Sequence, residues 1–233
     1  MTIRPVFSRA LGLGLLFAAA GAVAAPPRPF VATYHVSQGG QPLGVAQVSL
    51  RAADDGTWLY RKDVKGTGGL AALLGANVNE SSRLRWKGDV PEAISYDYSL
   101  QAAIKNKQRS LRVDWASKRV TVDEGKGPTT YPAEPGMVER NTLPLALGLA
   151  LRNGQQDVAL PVAVRQTVET QHFKVTGKET ITVPAGRFNA ERVERTDADR
   201  GFTAWYVPDR YLLPVKLSQH DGGDMVLELV SYQ

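Results

Sequence analysis

The stretch that decides the fold is ISYDYSL, Ile94 to Leu100, in which apolar and polar residues alternate without a break. In an extended chain, successive side chains point to opposite faces. Ile94, Tyr96, Tyr98 and Leu100 therefore share one face, and the polar residues between them take the other. This pattern is typical of a β-strand with one buried face.

The same alternation recurs along most of the chain. Before residue 125 it appears in FVATYHV (Phe30 to Val36), GVAQVSL (Gly44 to Leu50), WLYRKDV (Trp58 to Val64), SSRLRW (Ser81 to Trp86), SLRVDW (Ser110 to Trp115) and RVTV (Arg119 to Val122). After Val168 the sequence predicts four or five further strands. The connections are too short for the crossovers that parallel strands require, which indicates an antiparallel sheet of sequential neighbours.

Ten or more strands in one sheet accumulate twist and curl. The sequence therefore predicts a mainly β protein, whose strongly curved antiparallel sheet forms a barrel or half-barrel. Two apolar segments interrupt the strands. GGLAALLGANV (Gly68 to Val78) is a short run framed by glycines, whereas NTLPLALGLALRNG (Asn141 to Gly154) has an N-cap residue, an early proline and a terminal glycine typical of a helix. We expect one or two short helices at an open end of the sheet.

The first 24 residues have the parts of a secretory signal peptide: Arg4 and Arg9, an apolar run from Leu11 to Ala20 and a small-residue exit. The apolar run is shorter than the roughly 20 residues that a membrane-spanning helix needs. We predict a signal peptide at 1–24, a single β-rich domain at 25–233, no membrane-spanning segment in the mature chain, and export to the periplasm in preference to the medium.

The composition argues against several classes of function. The chain has no cysteine, which excludes disulfides, thiol nucleophiles and zinc thiolate sites. Its net charge of +5 includes the two signal arginines, and the remaining charges of both signs are interleaved. We therefore predict no nucleic-acid partner.

No motif of catalysis or metal binding is present. His35, His172 and His220 are not at the spacing of a metal site, no serine lies in a GxSxG context, and GTGG (Gly66 to Gly69) lacks the residues of a phosphate loop. DADRG (Asp197 to Gly201) lacks the remaining ligands of a calcium loop. We predict no catalytic residues, no metal site and no cofactor.

The apolar residues suggest a ligand cavity. Aromatic and leucine side chains on the curved sheet would line it, and leucines of the first apolar segment would form a movable cover. The predicted lining is Tyr96, Tyr98, Leu111, Trp115 and Trp205, with Leu70, Leu73 and Leu74 as the cover. The alternative is that both apolar segments plug the end of the barrel and make its interior a packed core.

Two stretches carry a family resemblance. TVPAGRFNAERVER (Thr182 to Arg195) followed by FTAWYVPDRYLLPVKLS (Phe202 to Ser218) resembles the C-terminal signature of exported bacterial proteins catalogued as domain of unknown function 3108. ATYHVSQGGQPLGVAQVSL (Ala32 to Leu50) is similar to the opening strand pair of that family. The resemblance, and a looser one to Lol-type lipoprotein carriers, implies a signal peptide and a strongly curved antiparallel sheet, but no catalytic residues.

We accordingly predict a soluble periplasmic protein without enzymatic activity, which binds an apolar or lipid-like ligand in maintenance of the cell envelope. One alternative is a factor that docks an envelope protein through a strand edge or apolar patch. A second is an enzyme acting on cell-wall or lipid substrates, which would need a polar cleft with perturbed carboxylates or histidines.

Overall fold

The computed structural model describes residues 27–198, 201–219 and 224–233. The predicted signal peptide at 1–24 and His220 lie outside these described residues.

Fifteen strands and two helices make up the described chain. The strands are β1 Phe30–Gln38, β2 Gln41–Ala52, β3 Trp58–Gly66, β4 Asn77–Lys87, β5 Val90–Ala102, β6 Lys105–Asp114, β7 Arg119–Asp123, β8 Pro128–Pro132, β9 Val138–Glu139, β10 Asp157–Ala163, β11 Val168–Val183, β12 Gly186–Arg195, β13 Phe202–Tyr206, β14 Lys216–Gln219 and β15 Met225–Tyr232. The helices are α1 Gly69–Leu73 and α2 Leu143–Arg152. Both helices lie within the two segments that interrupt the strand pattern.

All strands belong to one sheet, in the order β8-β7-β6-β5-β4-β3-β2-β1-β15-β14-β13-β12-β11-β10-β9. The first and last strands pair with each other in the middle of the sheet. The pairs are antiparallel except β9 with β10, which is parallel. This exception arises because α2 supplies the long connection that a parallel pair requires. The mainly β, antiparallel prediction is confirmed.

The sheet curls strongly but does not close into a barrel. Its edge strands are β8 and β9, and the connection between them, residues 133–137, crosses to β5. There the amide of Ala93 donates to the carbonyl of Met137 at 3.0 Å. The buried carboxylate of Glu92 accepts from the amide of Gly136 at 2.8 Å and pairs with Arg85. These bonds hold the β8–β9 connection against β5, the fourth strand from the β8 edge.

One detail of ISYDYSL differs from the predicted alternation. Arg83 on β4 is opposite Ser95 on β5, but the next residue, Leu84, is opposite Ala93. Ile94 is therefore the extra residue of a β-bulge, and Ala93 takes the buried position beside Leu84. Tyr96 and Tyr98 lie on the same face as predicted, whereas Ile94 does not.

We call the end of the sheet that carries α1 and the β5–β6 turn (residues 103–104) the α1 end, and the opposite end the α2 end. Helix α2 fills the α2 end, with buried leucines on several sides. Its Pro144 carbonyl accepts from the Tyr206 hydroxyl at 2.9 Å, and its Arg152 Nε donates to the carbonyl of Pro208 at 2.8 Å. Of the two apolar segments that the alternative treats as plugs, the second, which contains α2, therefore fills this end.

Candidate functional site

A cavity of about 510 Å³ lies inside the curve of the sheet, between α2 and the α1 end. Its volume falls in the range of roughly 300–1,000 Å³ that small-molecule sites span. The wall is mostly apolar and comes from strands far apart in the sequence. Representative lining residues are Val36, Val48, Leu111, Phe173, Leu213 and Leu227.

A row of charged and phenolic side chains crosses this wall. Lys62, Glu80, Tyr98 and Arg109 are directly opposed in turn on β3, β4, β5 and β6. They share the inward face, because the residues two positions along, such as Tyr60 and Tyr96, are buried. The register of four consecutive strands thus places a polar band across an apolar interior.

Glu80 is the centre of this polar band and is only 4% exposed. Its carboxylate pairs with Lys62 Nζ at 2.7 Å, accepts a hydrogen bond from the Tyr96 hydroxyl at 2.6 Å and lies 3.9 Å from Arg140 Nε. Burial disfavours its charge. The charges of Lys62 and Arg140, with the hydrogen bonds from Lys62 and Tyr96, outweigh that effect and lower the pKa of Glu80.

Glu139 is a second buried carboxyl that lines the cavity. Its oxygens accept from the amides of Asn141 (2.8 Å) and Thr142 (3.2 Å) and from the Thr142 hydroxyl (2.8 Å). Burial nevertheless raises the pKa of Glu139, because these hydrogen bonds do not compensate for desolvation and the charge of Glu80 adds to it. The surroundings of the two carboxyls therefore shift their pKa values in opposite directions.

Asn141 is buried beside Glu139 and also lines the cavity. Its Nδ2 donates to the Ser82 hydroxyl at 2.9 Å. Its Oδ1 is buried and has no hydrogen-bond partner within the described part of the chain. A buried acceptor of this kind favours a donor from a ligand or a water molecule.

Cations are in excess along the lining, and several lie toward the α1 end. Glu124 bridges Arg109 at 3.5 Å and Arg165 at 3.1 Å. The charged residues of the lining are Lys62, Arg109, Arg140, Arg165 and Arg195 against Glu80, Glu124 and Glu139. Five cations against three carboxyls leave the lining with an excess of positive charge, which favours an anionic group.

Three of the sequence-predicted lining residues lie at the cavity: Tyr96, Tyr98 and Leu111. Trp115 and Trp205 are placed elsewhere. The Trp115 indole donates to the carbonyl of Ala93 at 3.0 Å, and the Trp205 indole donates to Glu179 at 3.0 Å. Trp205 points outward because it alternates with the buried Ala204 and Tyr206 on β13.

The predicted cover residues do not lie over the cavity lining. Leu70 and Leu73 are exposed on α1, and Leu74 is half-buried at its end. Gly68, which precedes α1, lets this segment lie close to β2: a Cβ on Gly68 would lie 2.4 Å from the carbonyl oxygen of Pro42. Helix α1 is thus a rim element of the α1 end.

Sequence reasoning missed the polar residues of the cavity: Lys62, Glu80, Arg109, Glu139, Arg140 and Asn141. For the strand residues a signal was present, because Lys62 stands in phase with the inward-facing Trp58 and Tyr60 within WLYRKDV. A charged residue in phase with an apolar face indicates a polar interior. Glu139 ends a strand of only two residues, Arg140 and Asn141 follow it, and none of the three belongs to a comparable pattern.

The described residues hold no group of three or more histidine, aspartate or glutamate side chains placed to bind a metal ion. His35 and His172 are both exposed on the outer face of the sheet. The two buried carboxyls of the cavity, Glu80 and Glu139, are engaged by protein donors. Glu80 is held by two cations and a phenol, and Glu139 closes the turn before α2. Both therefore shape and charge the cavity wall, which suits binding better than proton transfer.

Comparison with known proteins identifies the family. A family model described as a protein of unknown function (DUF3108) matches residues 33–230, so the chain belongs to this family, and the resemblance inferred from its strand motifs is confirmed. No curated protein matches the chain. A crystal structure of a β-barrel-like protein of domain of unknown function DUF1849 from Brucella abortus is similar over 88% of this chain and 97% of that one, with 10% identity and a TM-score of 0.46.

Among the described residues, no helix has the length and apolar character needed to cross a membrane.

Proposed function

We propose that this member of the DUF3108 family binds a lipid-like anionic molecule in the cavity of its curved sheet, as an exported periplasmic protein that serves the cell envelope. The observation that carries the proposal is the chemistry of the cavity: apolar walls combined with a cation-rich polar band inside one volume of about 510 Å³. An amphiphile with an acyl chain and an acidic head has the matching composition. The apolar part would leave water, and the head would pair with Arg140, Arg109 or Arg165.

The buried partners of the polar band support binding to a preformed site. Lys62 and Arg140 are already oriented by Glu80, and Tyr96 is fixed by its hydrogen bond to the same carboxylate. A ligand head would meet side chains whose freedom is already restricted, which reduces the entropic cost of binding. The buried Oδ1 of Asn141 adds an acceptor for a hydroxyl or amide of the ligand.

The test uses the protein without residues 1–24, stripped of lipid, and two probes: a dansyl-labelled fatty acid and its methyl ester. They have the same chain and differ in the charge of the head. We expect saturable fluorescence enhancement with the acid and weaker binding of the ester. Val64→Trp, which fills the cavity from β3, should abolish both. Val31→Trp, on an exposed site of β1, should leave both unchanged.

Extraction of the protein purified from the periplasm, followed by mass spectrometry, gives an independent readout. We expect an acidic lipid in the wild type and a depleted extract from Val64→Trp. If neither probe bound saturably and no lipid were extracted, the proposed function would be wrong. Circular dichroism of Val64→Trp separates a filled cavity from an unfolded protein.

A further inference from the structure

We infer that the α1 end of the protein docks on the surface of an anionic lipid bilayer. The first observation is the exposure of three large apolar side chains: Leu70 is 68% exposed, Leu73 82% and Ile104 81%. Among the described residues, the next such side chain is Val31 on β1, at 39%. Clustered exposed apolar residues indicate an interaction site, whereas isolated ones do not.

The three residues belong to one surface although they come from two segments. The amide of Ala103 in the β5–β6 turn donates to the carbonyl of Leu74 at the end of α1, at 2.9 Å. This bond joins the turn that carries Ile104 to the helix that carries Leu70 and Leu73. We call these three side chains the apolar tip.

The backbone fixes the apolar tip on the sheet. The amides of Thr67 and Gly68 both donate to the carbonyl of Leu43 at 3.1 Å, and the amide of Gly66 donates to the carbonyl of Ala76 at 2.8 Å. Gly68 also approaches the Pro42 carbonyl too closely for any side chain. The structure therefore orders the leucines in water without burying them, which conflicts with a role in the core.

The charges around the apolar tip indicate which kind of surface it binds. Lys65, Lys105 and Lys107 flank the apolar tip, and within the described residues none of them forms a salt bridge. The two segments that form the tip, residues 64–79 and 98–113, contain no aspartate or glutamate. Apolar side chains ringed by lysines match the acyl region and the anionic phosphates of a bilayer, which lie next to each other at the membrane surface.

The tip stands at the rim of the cavity. Glu80 and Lys62, which line the cavity, lie on the same strands as Asn77 and Lys65, three residues closer to the α1 end. Because α2 fills the other end, docking through the tip places the α1 end of the sheet next to the bilayer. The inference concerns the outer rim and stands without the proposed function, since a protein with an empty cavity would still adsorb.

The test is cosedimentation with vesicles of phosphatidylcholine alone and of equal parts phosphatidylcholine and phosphatidylglycerol. We expect binding to the mixed vesicles, weaker binding to the neutral ones, and a decrease with added salt. Replacing Leu70 and Leu73 by serine should lower partitioning by about tenfold for each leucine, given the transfer free energy of that side chain. Lys105→Gln with Lys107→Gln should lower binding to the mixed vesicles by about fivefold for each lysine.

Val31→Ser is the matched control, because it removes an exposed aliphatic side chain away from the tip. It should bind like the wild type. Val64→Trp should also bind vesicles, which separates this inference from the cavity. Equal sedimentation of the wild type and the Leu70→Ser, Leu73→Ser protein would overturn the inference. The inference would also be wrong if the tip bound a protein partner and the protein did not sediment with vesicles.

Discussion

Lys62 and Glu80 face each other on neighbouring strands inside the curved sheet, with Nζ and Oε1 2.7 Å apart. Glu80 is almost fully buried, and Lys62 retains partial contact with solvent. Burial of charge is unfavourable unless each group is paired. Arg140 and the Tyr96 hydroxyl complete the pairing of Glu80, so the polar band persists within an apolar wall.

Removal of the Glu80 charge should destabilise the fold strongly. Glu80→Gln leaves Lys62 inside the wall without a counter-charge, and we expect a loss of about 3 kcal/mol in the free energy of unfolding. The matched control is Asp97→Asn, whose ion pair with Arg112 is 53% exposed on both sides and should change stability by less than about 1 kcal/mol. Urea denaturation measures both. Similar losses in the two variants would show that burial of Glu80 has no special energetic role.

Most of the sheet could be predicted from the alternation of apolar and polar residues along the sequence. Alternation around Tyr96 and Tyr98 predicted a half-buried strand, and short connections predicted antiparallel neighbours, because both depend on local chain geometry. The bulge at Ile94 was hidden, since it arises from pairing with β4 and leaves the local pattern intact. The sequence predicts Trp205 in the cavity lining, yet Trp205 alternates with the buried Ala204 and Tyr206 on β13 and its indole donates to Glu179.

The arrangement of the cavity could not be predicted from the sequence, because it is formed by contacts between residues that are far apart along the chain. Glu80 meets Arg140 across about sixty residues of sequence, and Tyr206 meets Pro144 through the packing of α2. The leucines of α2 and α1 look alike in sequence. Their burial differs because α2 packs inside one end of the sheet, whereas backbone hydrogen bonds hold α1 on the rim of the other end.

This difference gives a direct comparison of two leucines. Leu145 on α2 is fully buried, and Leu73 on α1 is 82% exposed. Leu145→Ala should lower the free energy of unfolding by about 2–5 kcal/mol, because it opens a cavity in a packed region. Leu73→Ala should change it by less than about 0.5 kcal/mol. Thermal or chemical unfolding checks both, and a large loss from Leu73→Ala would contradict the exposed position of α1.

Gly148 should tolerate no side chain. It lies where α2 meets residue 212, and a Cβ on it would lie 1.8 Å from the carbonyl oxygen of Leu212. Gly148→Ala must displace the helix or that segment, and we expect a loss of about 3 kcal/mol or more. Gly177→Ala is the control, since its Cβ would have no neighbour within 4 Å and should change stability by no more than about 1 kcal/mol. Melting temperatures distinguish the two, and equal values would contradict the close packing of α2.

Glu139 should make stability depend on pH in the direction opposite to most carboxyls. Its pKa is raised from the ordinary value of 4.5, so the folded protein holds the proton over a range where the unfolded chain has released it. The contribution of Glu139 is therefore full below pH 4.5 and declines as the pH rises through the raised value. The stability advantage of wild type over Glu139→Gln should narrow over that interval. Unfolding curves at several pH values test this, and an advantage that widened with pH would show that the carboxyl is buried in its charged form.

Arg165 should contribute to the choice of ligand more than to stability. Its side chain is 57% exposed, pairs with Glu124 and lines the cavity. For a partly exposed pair worth about 1 kcal/mol, Arg165→Gln should weaken binding of the dansyl-labelled fatty acid on the order of fivefold. Binding of the methyl ester should not change, because the ester offers no charge to pair with.

The control is Arg187→Gln. It removes an exposed cation from β12 outside the cavity, and should leave both affinities unaltered. Added salt should reduce the difference between wild type and Arg165→Gln, since screening weakens exposed charge pairs. Equal weakening of acid and ester by Arg165→Gln would mean that this side chain shapes the cavity without selecting an anionic head.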